Sequence, residues 1–184
     1  MGPEPPAEAR DGVDMHLGAT PVGSVLIPPP AVALGAAVVQ RVVTRRPQRP
    51  GAARGAAAAA LAAGSMALAA AAASSFRRSG TTLSPERPAD ASVLVTTGPH
   101  ALSRNPMYVG LTGLLVANAV RLGSWPALLP PLAFVAVLDR LQIRAEEAAL
   151  ADRFGSDYEA YGARVPRWLD RRSVTRPGAG SAVR

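Results

Sequence analysis

The sequence predicts an all-α integral membrane protein. It has about four transmembrane helices, a C-terminal helix hairpin and an amphipathic C-terminal helix on the cytoplasmic side. Three observations carry this reading. Long apolar runs recur along the chain, and two of them are separated by little more than a turn. A soluble hairpin would also carry a polar stripe along each helix, and these runs carry almost none.

Gly55 to Phe76, "GAAAAALAAGSMALAAAAASSF", holds no charge and is long enough to cross a hydrocarbon core of about 30 Å. Pro21 to Val43 is a second apolar run. Its "PPP" at 28–30 predicts a break or kink near the start, with the firmer helix from Ala31. Pro106 to Val120 is closed by Arg121, and Ser124 to Leu138 by Asp139. Both are short for spans, which snorkelling of Arg121 and local bilayer thinning would accommodate. Only Leu122 and Gly123 lie between Arg121 and Ser124, so these two helices form a tight antiparallel hairpin, the second bent near Pro130 and Pro131. Gly110, Gly113 and Ala117 share one face of the third helix, the small-residue pattern that lets membrane helices approach closely.

The net charge of +7 comes entirely from arginine, because the chain has no lysine. A nucleic-acid surface is disfavoured: the arginines are spread along the whole chain, aromatics make up 4%, and no nucleic-acid-binding motif is present. Arginines that flank apolar segments anchor helix ends at a membrane surface. With four spans, fourteen arginines fall on the side of both termini and six on the other, which predicts a multi-pass cell-membrane protein with both tails cytoplasmic. The chain has no cysteine, and its two histidines, His16 and His100, are too far apart to suggest a metal site. Residues 1–20, acidic and proline-rich, and residues 171–184 read as disordered tails around a membrane domain at 21–170.

Two polar segments face each other across the hairpin on the predicted cytoplasmic side. One runs from 81 to 106. The other starts at Asp139, with Leu141, Ala145, Ala148 and Ala149 as a weakly apolar helix face and Gln142 stacked on Glu146. Gly155 predicts the end of that helix. Asn105 and Pro106 form a local helix start, Asn at the cap and Pro at the first position. The adjacent pair Glu146 and Glu147 would be a solvated face in a soluble protein. At a membrane edge, with Arg104 nearby, it is a functional candidate.

The strings "LVTTGPHALSRNPMYVG" and "AEEAALADRFGSDYEAYGARVPRWL" resemble the isoprenylcysteine carboxyl methyltransferase family, and more broadly the integral-membrane methyltransferases that include phospholipid N-methyltransferases. Gly98, Arg104, Pro106, Tyr108, Gly110, Glu146, Glu147, Phe154, Gly155, Tyr158 and Tyr161 match the signature over roughly residues 75 to 169. His100 stands where the family usually has tyrosine, and Asn105 where it usually has histidine; both can still hydrogen-bond. The resemblance implies S-adenosylmethionine as cofactor, contacted by Leu94, Val95, His100, Asn105, Pro106, Met107, Tyr108 and Glu146. It implies methyl transfer to a carboxylate or amine of a lipid-like or hydrophobic acceptor reached from the bilayer. Arg104, Arg144 and Glu147 are candidates for handling that acceptor, and no catalytic base is assigned. Two alternatives remain. One is an NADPH-dependent membrane reductase of the sterol-reductase kind, against which stand the short chain and the lack of a Gly-rich dinucleotide fingerprint. The other is a non-catalytic membrane module that keeps the fold.

Overall fold

The computed structural model describes residues 28–45, 49–79 and 92–175, and among these it is helical with no strand. The helices are α1 (Pro29–Val43), α2 (Ala52–Arg78), α3 (Pro106–Leu122), α4 (Leu129–Val137), α5 (Arg144–Phe154), α6 (Ser156–Arg164) and α7 (Arg171–Thr175). A 3-10 turn at Gly98–Ala101 precedes α3, and another at Trp125–Leu128 leads into α4. The predicted tail at 1–20, and the tail beyond 175, lie outside the described residues.

Two helical stretches are long and apolar enough to cross a membrane: Ala52–Arg78 and the continuous run Trp125–Phe154. α1 and α3 are apolar but shorter. The molecule is turned inside out relative to a soluble protein. Leu34, Val42, Trp125 and Leu132 are each at least 65% exposed, whereas Gln40, Ser65, Ser75, Ser103 and Gln142 are buried. Apolar side chains gain nothing by leaving hydrocarbon, so they face outward, and polar groups turn inward where partners wait.

α2 runs antiparallel along α3. Its buried positions Ala58, Ser65 and Ala72 recur every seven residues, a seam of small side chains. The facing surface of α3 is the predicted one. A Cβ at Gly110 would lie 2.8 Å from both Ala69 Cβ and the Ser65 carbonyl oxygen, and one at Gly113 would collide with the Ser65 hydroxyl. Ala117 is buried as well. α1 packs on α3 and α4 around Ala33, Tyr108, Leu115, Phe134 and Leu138.

The tight hairpin forms as expected. Gly123 takes a left-handed φ of 62°, ends α3 and leaves room for the Arg54 guanidinium that lies against it. Gln40, fully buried, bolts the hairpin to α1 by donating to the Leu115 and Ala127 carbonyls at 2.8 Å each, and it accepts from Asn118.

The break expected at "PPP" falls at Pro28, the non-helical cap, and α1 follows with Pro29 and Pro30 in its first turn, where a missing N–H costs nothing. Three local expectations are corrected. Pro130 and Pro131 likewise begin α4, and the irregularity lies further on, in a π-helical turn at Leu138–Ile143. The apolar face proposed for the next helix points outward: Leu141 is 72% exposed, and Ala145 and Ala148 are exposed too. The inward line is instead Pro130, Phe134, Leu138, Gln142 and Glu146, at steps of four. A regular α-helix drifts about 40° per such step. The wider π turn winds part of that drift back and keeps Gln142 and Glu146 directed inward. Finally, residues 171–175, assigned to the tail, form a short helix whose Ser173 hydroxyl donates to the Leu102 carbonyl at 2.6 Å.

Close contact along α2 and α3 makes Gly110 intolerant of a side chain. Gly110→Ala is expected to destabilise the protein by about 1–3 kcal/mol, read as a lower thermal midpoint in detergent. Gly64→Ala, on the outer face of α2 with open space around it, should be neutral or mildly stabilising.

Candidate functional site

Three pieces of chain converge at one end of the bundle: the segment Leu94–Asn105 with the first turn of α3, the π turn with α5, and the irregular segment Val165–Trp168 after α6. Sequence-distant hydrogen bonds join them. The Arg104 N–H donates to the Pro166 carbonyl at 2.9 Å, and the Arg167 carbonyl accepts from Ser103 Oγ at 2.9 Å and Asn105 Nδ2 at 3.1 Å. Asn105 therefore occupies the cap position of α3 without capping it. Its side chain is spent on Arg167, and no side-chain cap bond forms. That is the physical reason the local helix-start reading of Asn105 is incomplete.

The two glutamates have separate tasks. Glu146 Oε1 accepts from the Tyr108 hydroxyl and from Gln142 Nε2, both at 2.6 Å. Among the described residues Oε2 has no partner. Glu147 is consumed by cations. Arg104 reaches Oε1 at 2.8 Å, and Arg167 grips both carboxylate oxygens. Arg167 also holds Asp139 at 3.1 Å, and Trp168 Nε1 donates to Asp139 at 3.0 Å. Paired with two carboxylates, the Arg167 guanidinium is pushed to hold its proton even more firmly than usual, the hydrogen bonds to Glu147 being the main cause.

His100 is 4% exposed, sits edge-on to Phe76 with ring centres 4.8 Å apart, and offers its carbonyl to the Tyr161 hydroxyl at 2.8 Å. Burial pushes its pKa down to about 4, so the ring is neutral at physiological pH. Its buried Nδ1 has no partner, and neither does the buried Nε of Arg104. Burial likewise pushes the Tyr158 phenol up to about 12, so it stays protonated. Tyr158 and Tyr161 pack with Val165, Leu94, Leu150 and Phe154 into a small core under the site, and the Arg104 guanidinium lies 5.9 Å from the Tyr158 ring centre.

Of the residues singled out in the sequence, Tyr108 and Glu146 are brought into direct contact, and so are Arg104 and Glu147. Val95 and Pro106 are buried, Leu94 belongs to the tyrosine core, and Met107 is half-buried at the start of α3. Arg144 is exposed, within electrostatic reach of Asp139. Sequence reasoning missed Arg167, Asp139, Trp168 and Gln142 as site residues. Gln142 was visible through its i,i+4 spacing to Glu146. Arg167 and Trp168 could have been flagged only as a charged and an aromatic residue in an irregular stretch after Pro166.

Beside this cluster an apolar groove of about 280 Å³ runs between α2 (Leu61) and α3 (Val109, Thr112, Gly113, Val116) and ends against Trp168 and Leu169. Trp168 thus lines the groove with its ring and ties itself to the charged cluster with its N–H.

An all-helical membrane protein with a buried polar site at the mouth of one helix is the class this architecture defines. A family model described as phospholipid methyltransferase matches residues 53–157, a span that takes in all but the first residue of α2, the hairpin and both glutamates, and the chain belongs to that family. It is also similar to an uncharacterized protein of Haemophilus influenzae (strain Rd), 38% identical over 63 residues, which is 34% of this chain and 100% of the relative. No solved structure matches.

Two outcomes follow from the site's electrostatics. Unfolded histidine takes up its proton near pH 6.5, whereas folded His100 does so only near pH 4. Between those values the unfolded chain binds more protons, so stability falls as pH falls through this window, by about 3 kcal/mol in total. His100→Gln should flatten that part of the thermal-midpoint profile. Arg167→Ala leaves Asp139 without its cation and Glu147 with Arg104 alone, and should cost about 1–3 kcal/mol. Arg167→Lys, which keeps the charge but loses the fork, should recover only part of it.

Proposed function

We propose that the chain is an S-adenosylmethionine-dependent methyltransferase that methylates a carboxylate or amine on a lipid-like acceptor. The observation that carries this is Glu146, half-buried at the helix mouth, with Oε1 accepting two hydrogen bonds and Oε2 without a partner among the described residues. A carboxylate fixed in this way suits the paired hydroxyls of a ribose or an ammonium group, each of which needs an oriented acceptor. Family membership over residues 53–157 supports the reaction class.

The donor set fits the cofactor. Neutral His100 brings an unpartnered Nδ1 that can accept or donate according to tautomer. Tyr108 sets an aromatic ring beside the Glu146 carboxylate, just after the buried Pro106 at the start of α3. Bound here, S-adenosylmethionine would supply an electrophilic methyl on a sulfonium. The chain's own residues bind and orient. Tyr108 and Gln142 hold Glu146 in one rotamer, and the tyrosine core keeps water from the underside. Glu147, already neutralised by Arg104 and Arg167, is a positioning residue in this reading. Arg104 keeps one buried N–H for an anionic group of the acceptor. The apolar groove ending at Trp168 suits an acceptor carrying a hydrocarbon chain, delivered from the bilayer side. Such chemistry depends more on alignment and exclusion of water than on an acid or base.

We infer four spans, α1, α2, α3 and the run from Trp125, with the Glu146 end facing the cytoplasm where the cofactor is found. Calorimetry on the purified protein in detergent should show S-adenosylmethionine binding. Tyr108→Phe should weaken it about three- to tenfold, and Glu146→Ala by more. Binding of NADPH without S-adenosylmethionine would replace this reading with the reductase, and binding of neither would leave a non-catalytic module.

A further inference from the structure

Charge is divided unequally between the two ends of the bundle. Between Asp14 and Glu86, and again between Asp90 and Asp139, the sequence has no carboxylate. The C-terminus of α1, the N-terminus of α2 and the α3–α4 turn meet at the end opposite Glu146. They bring Arg41, Arg45, Arg49 and Arg121 together, and no acidic side chain of the described residues stands there. Their mutual placement is fixed by contacts already on that end. Arg54 donates to the Arg49 carbonyl at 3.0 Å and lies against Gly123. Arg121 donates to Asn118 Oδ1 at 2.8 Å, and Asn118 donates to buried Gln40. Arg41 reaches the Thr44 carbonyl at 3.5 Å, and the hydroxyl of Thr44, a residue only 2% exposed, has no partner.

We propose that this end is a docking surface for the headgroups of anionic phospholipids. A cluster of arginines with no carboxylate beside it among the described residues calls for an anion, and its surroundings choose which. Val42, 71% exposed, stands beside Arg41 on α1, and Trp125, 76% exposed, begins the turn into α4. Aliphatic side chains that meet arginine and tryptophan at one level are the chemistry of a membrane interface. Val42 and Trp125 both stand at the ends of helices read here as spans, so the arginines lie at the level of the lipid headgroups, where the phosphate of a phospholipid is the anion at hand. A phospholipid covers those two side chains with its acyl chains while its phosphate meets the guanidinium fork, which matches a phosphate with two N–H donors. The surface lies away from Glu146, so this inference does not depend on the methyltransferase reading.

The full chain is placed in nanodiscs of equal parts phosphatidylglycerol and phosphatidylcholine, released into mild detergent, and its retained lipids counted by native mass spectrometry. Wild type should retain phosphatidylglycerol over phosphatidylcholine by tenfold or more. The variant Arg41→Gln/Arg45→Gln/Arg49→Gln should approach parity, since each arginine near an anionic surface contributes roughly fivefold. Arg164→Gln, on α6 at the other end, should change nothing. If the triple variant fails to fold, wild type alone decides, because 0.5 M salt should erase most of the preference. Parity in wild type, or a preference that survives both the triple variant and salt, would overturn the proposal. So would displacement of phosphatidylglycerol by inorganic phosphate, which would make the surface a site for a free anion.

Discussion

Arg167 holds together pieces of chain that are otherwise far apart in sequence. Its guanidinium ties the π turn, through Asp139, to α5, through Glu147, while its carbonyl receives Ser103 and Asn105 from the segment before α3. The segment Val165–Trp168 is thereby pinned across the mouth of the bundle, and the position of the whole site follows from it. Arg104 completes the arrangement from the other side by sharing Glu147. A network of this kind is costly to leave half made, because each carboxylate drawn out of water needs its cation. With all its members present it leaves Glu146 as the one carboxylate in the cluster that no cation touches.

The bilayer explains why the rest of the chain can support such a site. Backbone and polar side chains must find partners inside the protein, so Gln40 bonds two carbonyls and Asn118, and Thr112 returns its hydroxyl to the Tyr108 carbonyl at 2.8 Å. Helix contact depends on closeness and not on escape from water, and Gly110 and Gly113 provide it against Ser65 and Ala69. The π turn then aims Gln142 and Glu146 inward from a helix whose exposed face, at Leu141, suits lipid.

Much of this was legible in the sequence. Helix class, the hairpin at Gly123, the small-residue face of α3, the helix end at Gly155 and the meeting of Arg104 with the glutamate pair all follow from local chemistry or from the family signature. What was not legible has a common cause. Pro130 and Pro131 were read as a bend, yet a proline's effect depends on where the helix begins, and tertiary packing decides that. The face of α5 was read as a soluble amphipathic helix would be, which inverts inside and outside for this environment. Asn105 was read as a cap because the competing acceptor, the Arg167 carbonyl, lies 62 residues away. Arg167 itself carries no local signal, since its role exists only once Asp139 and Glu147 have been brought to it.

The central claim is that the mouth of α3, between Tyr108 and Glu146, is where the methyl donor binds. Ultraviolet cross-linking of labelled S-adenosylmethionine to the full chain in detergent, followed by peptide mapping, tests it most directly. The label is predicted on peptides spanning 94–108 or 142–147, and Glu146→Ala should strip it away. Label confined to the arginine-rich end, or no label while NADPH cross-links in its place, would contradict the account.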